Sequence, residues 1–166
     1  MEKDSILRLN QLHPIIRQDA LDAYAEAVKT TPVGVHPFIT QTYRTFAESN
    51  KLYAQGRTEP GAIVTNSKAG QSYHNFGLAL DFVNEINGKI IWPNDPVNDK
   101  NWMIVVNCFK KRGFTWGGDF SGGFKDYPHL EKKLGYNWKQ LLSMYNAGNN
   151  FIVNHIYLKL NDANTA

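Results

Sequence analysis

The sequence predicts an α+β fold in which helices pack on a small antiparallel sheet. Several segments repeat their apolar side chains with the spacing of an amphipathic helix. Between them, residues 78–83 change to a period of two, and Asn87-Gly88 supplies a strong β-hairpin signal. The 166 residues, 42% of them hydrophobic, are enough to bury one substantial core. Elements of these two kinds pack together as an α+β domain.

Four segments have the apolar periodicity or the terminal signals of helices. They cover residues 14–29, 45–55, 95–112 and 138–145. Pro14 suits the first turn of the first helix. Thr45 and Glu48 have the spacing of a capping box at the start of the second. Gly113 is placed to end the third, so each of these three helices has at least one defined end.

Strands are predicted in the segments that separate these helices. They cover residues 37–40, 78–83, 89–92 and 114–116. Asp81 would project from the second strand beside the small Ala79. Because no repeat and no long linker interrupts the chain, residues 1–146 are predicted to form one domain, followed by an extension, residues 147–166, of unknown role. The apolar stretch of the extension, residues 151–160, either packs on the domain as a last strand or helix or contacts a second copy or another partner.

Composition and the amino terminus exclude several classes of protein. The net charge of +3 comes from 18 basic and 15 acidic residues spread along the chain, so nucleic-acid binding is not predicted. Cys108 is the single cysteine, which excludes an intrachain disulfide and a cysteine-rich zinc site. Residues 1–5 are polar, and no apolar run approaches the roughly 18–20 residues of a membrane span. We expect a protein made in the cytoplasm without a signal peptide and not inserted into a membrane, with a monomer favoured.

Two short motifs carry the chemistry. The first, within residues 71–82, contains His74 and Asp81, and the second contains Asp126 and, three residues later, His129. Two imidazoles and two carboxylates are the combination that a catalytic zinc needs if it is to keep one position open for water. The pair of motifs predicts a metallohydrolase.

The four side chains can meet only if the chain turns. Fully extended, the segment from His74 to Asp81 would span roughly 23 Å, too far for two ligand bonds of about 2.0–2.2 Å to one ion. Gly77, free to adopt a positive φ, is predicted to make the turn. Asp126 and His129 can face one point if their segment forms a single helical turn.

Charge chemistry assigns a role to each of the four. Two neutral histidines and one carboxylate leave a zinc ion with a net positive charge, so His74, Asp81 and His129 are the predicted ligands. Asp126 is then predicted to take a proton from the metal-bound water and to pass it to the leaving amine. The alternative is that Asp126 merely caps its turn.

These residues resemble a known superfamily. The chain contains the pattern Ser-x-His-x-x-Gly-x-Ala-x-Asp, formed by Ser72, His74, Gly77, Ala79 and Asp81. With an acidic residue three before a later histidine, this pattern resembles the zinc peptidases of the D-alanyl-D-alanine carboxypeptidase and Hedgehog-like superfamily. The resemblance covers roughly residues 38–138, including Trp116-Gly117-Gly118, and implies a Hedgehog/DD-peptidase-like fold with Zn²⁺ as cofactor.

Details of the motifs imply a substrate. The vancomycin-resistance type of D-Ala-D-Ala dipeptidase carries Glu where this chain has Asp126. The Asp form, together with the segments ending in Arg44 and Arg57, is similar to phage endolysins that cut between L-alanine and D-glutamate in the peptidoglycan stem. The resemblance therefore implies a bacteriolytic endopeptidase that degrades the cell wall after release. It also implies that Arg44 holds an acidic substrate group and that Ser72 hydrogen-bonds near the scissile unit.

Other readings stay open at this point. A D-Ala-D-Ala carboxypeptidase or dipeptidase on the same scaffold is the closest alternative function. A non-catalytic, zinc-stabilised binding module is another, although a structural zinc site has no need of the base Asp126. Arg44 could instead be a salt-bridge residue before a helix, and Ser72 a turn residue.

Overall fold

The computed structural model describes residues 2–152 and 155–160 and has an α+β architecture, as predicted. The helices of this part of the chain are α1 (Glu2–Leu9), α2 (Pro14–Thr30), α3 (Phe46–Ala54), α4 (Lys100–Lys110) and α5 (Trp138–Asn146). The strands are β1 (Val35–Gln41), β2 (Ala79–Ile86), β3 (Lys89–Ile91), β4 (Thr115–Trp116), β5 (His129–Glu131), β6 (Asn150–Ile152) and β7 (Ile156–Leu158). None of the described helices has the length and apolarity needed to cross a membrane.

The main sheet is antiparallel, and β2 is its central strand. The strand order is β1-β2-β5-β4, and β3 also pairs with β2. The predicted hairpin between β2 and β3 is confirmed, because Asn87 and Gly88 have φ values of 53° and 78°, the positive pair that a tight hairpin turn requires. In the ladder between β2 and β5, Asp81 is directly opposite His129. The sheet therefore brings together two residues that are 48 positions apart.

The predicted helices are present, with two differences. Asp99 caps α4, its side chain accepting from the amide of Trp102, so this helix begins at Lys100 rather than at residue 95. Helix α1 was not among the predicted helices. In α1 the buried hydroxyl of Ser5 accepts from the backbone N–H of Ile39, which fixes the helix to β1.

The core lies between the sheet and the helices that pack on it. Alternate residues of β2, Leu80 and Phe82, are fully buried, and the Phe82 ring lies 4.4 Å from the ring of Trp102 on α4. Each large apolar side chain buried in this way contributes about 1.5–3 kcal/mol. Because side chains alternate along a strand, Asp81 points away from this core. The packing of β2 thus presents one carboxylate on the other face.

The described part of the C-terminal segment packs on the domain. Tyr157 and Leu158 of β7 are buried, and the Tyr157 hydroxyl donates to the carbonyl oxygen of Gln11 at 2.9 Å. The His13 ring nitrogen Nε2 donates to the Leu158 carbonyl oxygen at 2.8 Å. These contacts favour the reading of the tail as a last packed strand, while the predicted boundary at residue 146 stays a prediction. Residues 153–154 and 161–166 of the extension lie outside the described residues.

Candidate metal centre and active site

A sharp reversal of the chain precedes β2 and brings His74 back toward Asp81. His74 lies in the 3₁₀ turn Tyr73–Phe76, which ends at Gly77. Gly77 has a φ of 67°, and its amide donates to the His74 carbonyl oxygen. A side chain at this position would also approach the backbone nitrogen of His13 to 2.8 Å. The turn predicted from the sequence is confirmed.

Three ligand atoms meet where this turn, β2 and β5 come together. His74 Nδ1 donates to the carbonyl oxygen of Thr42 at 2.7 Å, so in the neutral ring Nε2 is the nitrogen with a free lone pair. His74 Nε2 lies 3.3 Å from Asp81 Oδ1 and 3.2 Å from His129 Nδ1. The remaining separation, between His129 Nδ1 and Asp81 Oδ1, is 3.1 Å.

The spacing of these atoms suits a small tetrahedral metal ion. For bonds of about 2.0–2.1 Å, two corners of a tetrahedron lie about 3.3–3.4 Å apart. His74, Asp81 and His129 therefore form a group that could hold a metal ion. Three protein donors leave the fourth corner open, which is the arrangement of a catalytic rather than a structural site.

Asp126 reaches the same region through a tight turn that precedes β5. The amide of His129 donates to the Asp126 carbonyl oxygen at 3.1 Å, closing a turn that leads directly into β5. The segment is a single turn, as the spacing suggested, but it is closed by a hydrogen bond to the third residue back and not by the α-helical bond to the fourth. The backbone of Phe82 donates to the Pro128 carbonyl oxygen, so the end of this turn already pairs with β2 and is extended rather than helical. Asp126 lies outside the group of three ligands but lines the same cleft.

The neighbours of each ionisable group set its pKa. Burial opposes ionisation of Asp81, but His74 and His129 outweigh burial and lower its pKa. Burial alone would lower the pKa of His129, whereas its hydrogen bonds with Asp81 and Glu131 raise it to about 9. A bound metal ion would take the place of the proton that these groups otherwise share. Burial raises the pKa of Asp126, and the charge of Asp81 adds to this effect.

A cleft of about 1070 Å³ contains the ligand group and Asp126. Its outer walls are loops, with the exposed apolar side chains Ile63 and Val64 on one loop and Phe124 on the other. The volume lies near the upper end of the range for small-molecule sites. Such a cleft can receive an extended peptide across the ligand group.

Arg44 and Ser72, implied by the resemblance to bind substrate, both line this cleft. The buried Nε of Arg44 has no hydrogen-bond partner among the described residues, which leaves a charged donor for a ligand. The Ser72 hydroxyl accepts from the amide of His74 at 3.3 Å, so it also caps the 3₁₀ turn. The structural reading of Ser72 is therefore correct in part, and its position on the cleft leaves room for the second role.

Two functional candidates were missed at the sequence level. Glu131 is buried, and its Oε2 accepts from His129 Nε2 at 3.1 Å. Lys133 lines the cleft, and its Nζ lies 2.9 Å from Glu131 Oε1. Hydrogen bonds of this kind fix the orientation and tautomer of a ligand histidine. The spacing of two residues along an extended segment, from 129 to 131 to 133, was the available signal.

Comparison with known proteins identifies the family. A family model described as D-alanyl-D-alanine carboxypeptidase matches residues 65–132. The chain is 46% identical over 127 residues to the peptidoglycan L-alanyl-D-glutamate endopeptidase CwlK of Bacillus subtilis, and the match covers 74% of each protein. The chain belongs to the CwlK family of peptidases. Members of this family are metallopeptidases, in accord with the ligand group found here.

One further relative and one solved structure are similar to the chain. The chain is 41% identical over 102 residues to the L-alanyl-D-glutamate peptidase of Listeria phage A118, a match that covers 57% of this chain but only 34% of the phage protein. The L-Ala D-Glu endopeptidase ChiX of Serratia marcescens has a similar fold, with a TM-score of 0.54 at 19% identity. That similarity covers 77% of this chain and 85% of ChiX. The expected DD-peptidase-like fold is therefore confirmed.

Proposed function

We propose that this CwlK-family chain is a zinc-dependent endopeptidase that hydrolyses the L-Ala-D-Glu bond of the peptidoglycan stem peptide. The observation that carries the proposal is the set of three ligand atoms, 3.1–3.3 Å apart, in the same cleft as Asp126. The choice of bond rests on the relatives from Bacillus subtilis and Listeria phage A118, both named for the L-alanyl-D-glutamate linkage.

The donor set suits zinc better than a harder cation. His74 would bind through Nε2, His129 through Nδ1 and Asp81 through Oδ1, and two imidazoles with one carboxylate are a common catalytic zinc set. Zinc held there lowers the pKa of water toward 7 and polarises a carbonyl beside it. The Thr42 carbonyl oxygen and Glu131 fix the two histidine rings in the tautomers that this binding requires.

Asp126 supplies the proton transfers of the reaction. Its carboxylate accepts a proton from the attacking water and then gives it to the amine of the leaving D-glutamyl group. Burial raises the pKa of Asp126, which makes the carboxylate a better base than an exposed one.

Arg44 and Ser72 bind the substrate. The stem peptide carries several carboxylates, and the planar guanidinium of Arg44, with its unpaired Nε, suits one of them. The Ser72 hydroxyl then hydrogen-bonds close to the scissile unit. The protein acts as a monomer on the bacterial wall, which it reaches after release from the cell in the manner of a phage endolysin.

The proposed bond and the metal requirement are tested together by a muropeptide digest. Purified sacculi are incubated with the protein, with and without a chelator, and the products are measured by mass spectrometry. We expect stems cleaved after L-Ala, loss of cleavage with chelator, and recovery on addition of Zn²⁺. Loss of terminal D-Ala alone would instead support the D-alanyl-D-alanine carboxypeptidase activity for which the matching family model is named.

The role of Asp126 is tested in the same assay. Asp126→Ala should retain zinc while its rate falls by about 10²–10⁴-fold, because only the proton transfer is lost. Asp119→Asn is the matched control: Asp119 precedes Asp126 in the same stretch of chain, but its carboxylate pairs with Lys110 and does not line the cleft. An Asp126→Ala variant that lyses walls at the parent rate would contradict the mechanism.

A further inference from the structure

We infer that Trp116, Gly117 and Trp102 position Asp126 for proton transfer. We call these three residues the Asp126 cradle. The inference rests on the proposed role of Asp126 as the base. None of the three lines the cleft, so they act on Asp126 through its backbone and not on the substrate.

Two indole groups bind one carbonyl oxygen beside Asp126. The Tyr127 carbonyl oxygen accepts from Trp116 Nε1 at 2.7 Å and from Trp102 Nε1 at 3.3 Å. Both tryptophans are almost fully buried. They come from β4 and α4, so the carbonyl is held from two different elements of the scaffold. An indole N–H can only donate, and each of the two is used on this one oxygen.

Gly117 contacts the backbone of Asp126 itself. The amide of Asp126 donates to the Gly117 carbonyl oxygen at 3.2 Å. A Cβ at Gly117 would collide with the Asp126 carbonyl oxygen, and one at Gly118 would collide with the ring of Trp116. Gly117 does not have a positive φ, so the need for glycine here comes from the close approach of Asp126 alone. The Trp-Gly-Gly sequence thus has a structural reason at each position.

The segment just before Asp126 offers no comparable support. Gly122 and Gly123 have φ values of 83° and 82°, and a side chain at either would meet no atom within 4 Å. The preceding loop is therefore not packed against the domain at these positions. A base must be held to within a fraction of an ångström of its working position, and a displacement of 1 Å can cost about 10²-fold in rate. The cradle supplies this restraint on Asp126.

Substitution of the tryptophans tests the cradle. Trp116→Phe removes the N–H and keeps an aromatic ring, and we expect kcat to fall about 10-fold with KM and zinc content unchanged. Trp102→Phe, which removes the longer hydrogen bond, should lower kcat by about 2- to 3-fold. The stability control is Phe114→Leu, because Phe114 is buried just before β4, packs against Phe109 of α4 and has no side-chain hydrogen bond to lose. This control should lower the melting temperature without lowering kcat per bound zinc.

A double-mutant cycle separates positioning from general destabilisation. If Trp116 acts through Asp126, adding Trp116→Phe to Asp126→Ala should not lower the residual rate further. A fall of the same size in both backgrounds would overturn the inference. So would a Trp116→Phe enzyme with the parent kcat, provided that Asp126→Ala is slow. If Asp126→Ala is itself as fast as the parent enzyme, the proposed function fails first, and the two failures are therefore distinguishable.

Gly117→Ala is the second, independent test. The added methyl group must push Asp126 away, so we expect kcat to fall about 10²-fold while zinc affinity stays within about 2-fold of the parent. Gly122→Ala measures what backbone strain in the same loop does by itself, since Gly122 has a φ of 83° and an added methyl group there meets no atom within 4 Å. Loss of zinc from Gly117→Ala would show that the segment serves His129 rather than Asp126, and would overturn the assignment.

Discussion

The two halves of the candidate site are built in different ways. His74 and Asp81 lie on one short segment, whose 3₁₀ turn and Gly77 bring the two side chains together within eight residues. Asp126 and His129 follow an open loop, and their positions depend on elements far away in the chain. In the first half a local turn brings the two side chains together, although Thr42 orients the His74 ring, whereas the second half depends on distant elements throughout.

This difference has a consequence for catalysis. In the first half, a change in the turn displaces a metal ligand directly. In the second half, His129 is held in the ladder with β2, while Asp126 depends on the Asp126 cradle. The metal ligands are therefore expected to tolerate changes in distant packing better than the base does. Substitutions of the metal ligands and of the Asp126 cradle can therefore separate metal binding from proton transfer.

The largest effect is expected where a ligand of the first half is removed. His74→Ala should reduce the zinc content from about one ion per chain to near zero and lower activity by at least about 10³-fold, because Lewis-acid catalysis is lost with the metal. Metal analysis and the wall-lysis rate measure the two effects. His36→Ala is the control, since His36 is an exposed histidine of β1. Full zinc content in His74→Ala would exclude His74 as a ligand.

A smaller effect is expected when the hydrogen-bond partner of the ligand His129 is removed. Glu131→Ala removes the acceptor for His129 Nε2, and zinc affinity should fall about 10- to 100-fold. Glu131→Gln keeps an acceptor oxygen and should lose less. Competition with a zinc-binding dye measures both affinities, and Glu85→Gln serves as a control because it changes another buried carboxylate on the sheet. Equal affinities for Glu131→Ala and the parent would show that the ring of His129 is oriented by the sheet alone.

The turn of the first half can be tested through Gly77. Gly77→Ala combines a positive φ with a close contact to the His13 backbone and should destabilise the protein by about 1–3 kcal/mol. Gly88→Ala has similar backbone strain, with a φ of 78°, but meets no atom within 4 Å. Urea denaturation of the two variants isolates the part due to the contact. If both lose the same stability, the close approach to His13 contributes nothing.

The difference between local and distant determinants of structure also explains how much of the fold was predictable. The β2-β3 hairpin was predicted because its signal, Asn87-Gly88, is local and chemically specific. The start of α4 was placed too early because apolar periodicity does not reveal which residue caps the helix, a role that Asp99 fills. The helix α1 was missed because it is short and only two of its residues are buried, one of them the polar Ser5, so its core-facing side is not marked by apolar residues alone.

In the candidate site, too, local motifs could be predicted and tertiary contacts could not. His74 and Asp81 were found together because a contiguous motif contains both of them and the glycine between them. The spacing of three residues between Asp126 and His129 suits a helical turn and a β-turn equally, and only the pairing with β2 shows that this turn leads into a strand. Trp102 and Glu131 were not recognised, since their partners are set by tertiary contacts that no local pattern records.

The smallest predicted effect comes from Glu26, which stabilises the end of the helix that carries Trp102. Glu26 on α2 binds Lys111 and Arg112 at the end of α4, the helix that carries Trp102. The hydrogen bonds from these two cations lower the pKa of Glu26 from 4.5 to about 2. A lowered carboxyl pKa contributes stability above the unfolded-state value, and this contribution is lost as the pH falls from about 4.5 to about 2. All three side chains are at least partly exposed to solvent, so the contribution is small.

Glu26→Gln should therefore be slightly less stable than the parent at pH 7, and the difference should disappear as the pH approaches 2. Thermal melts at a series of pH values measure the effect, with both proteins kept metal-free so that release of metal at low pH does not contribute. Catalysis at pH 7 should not change, because Glu26 acts only on the outer surface of the two helices. A difference in stability that is constant with pH would show that Glu26 contributes by packing rather than by charge. A loss of activity would show that α4 affects the Asp126 cradle through more than the contacts of Trp102.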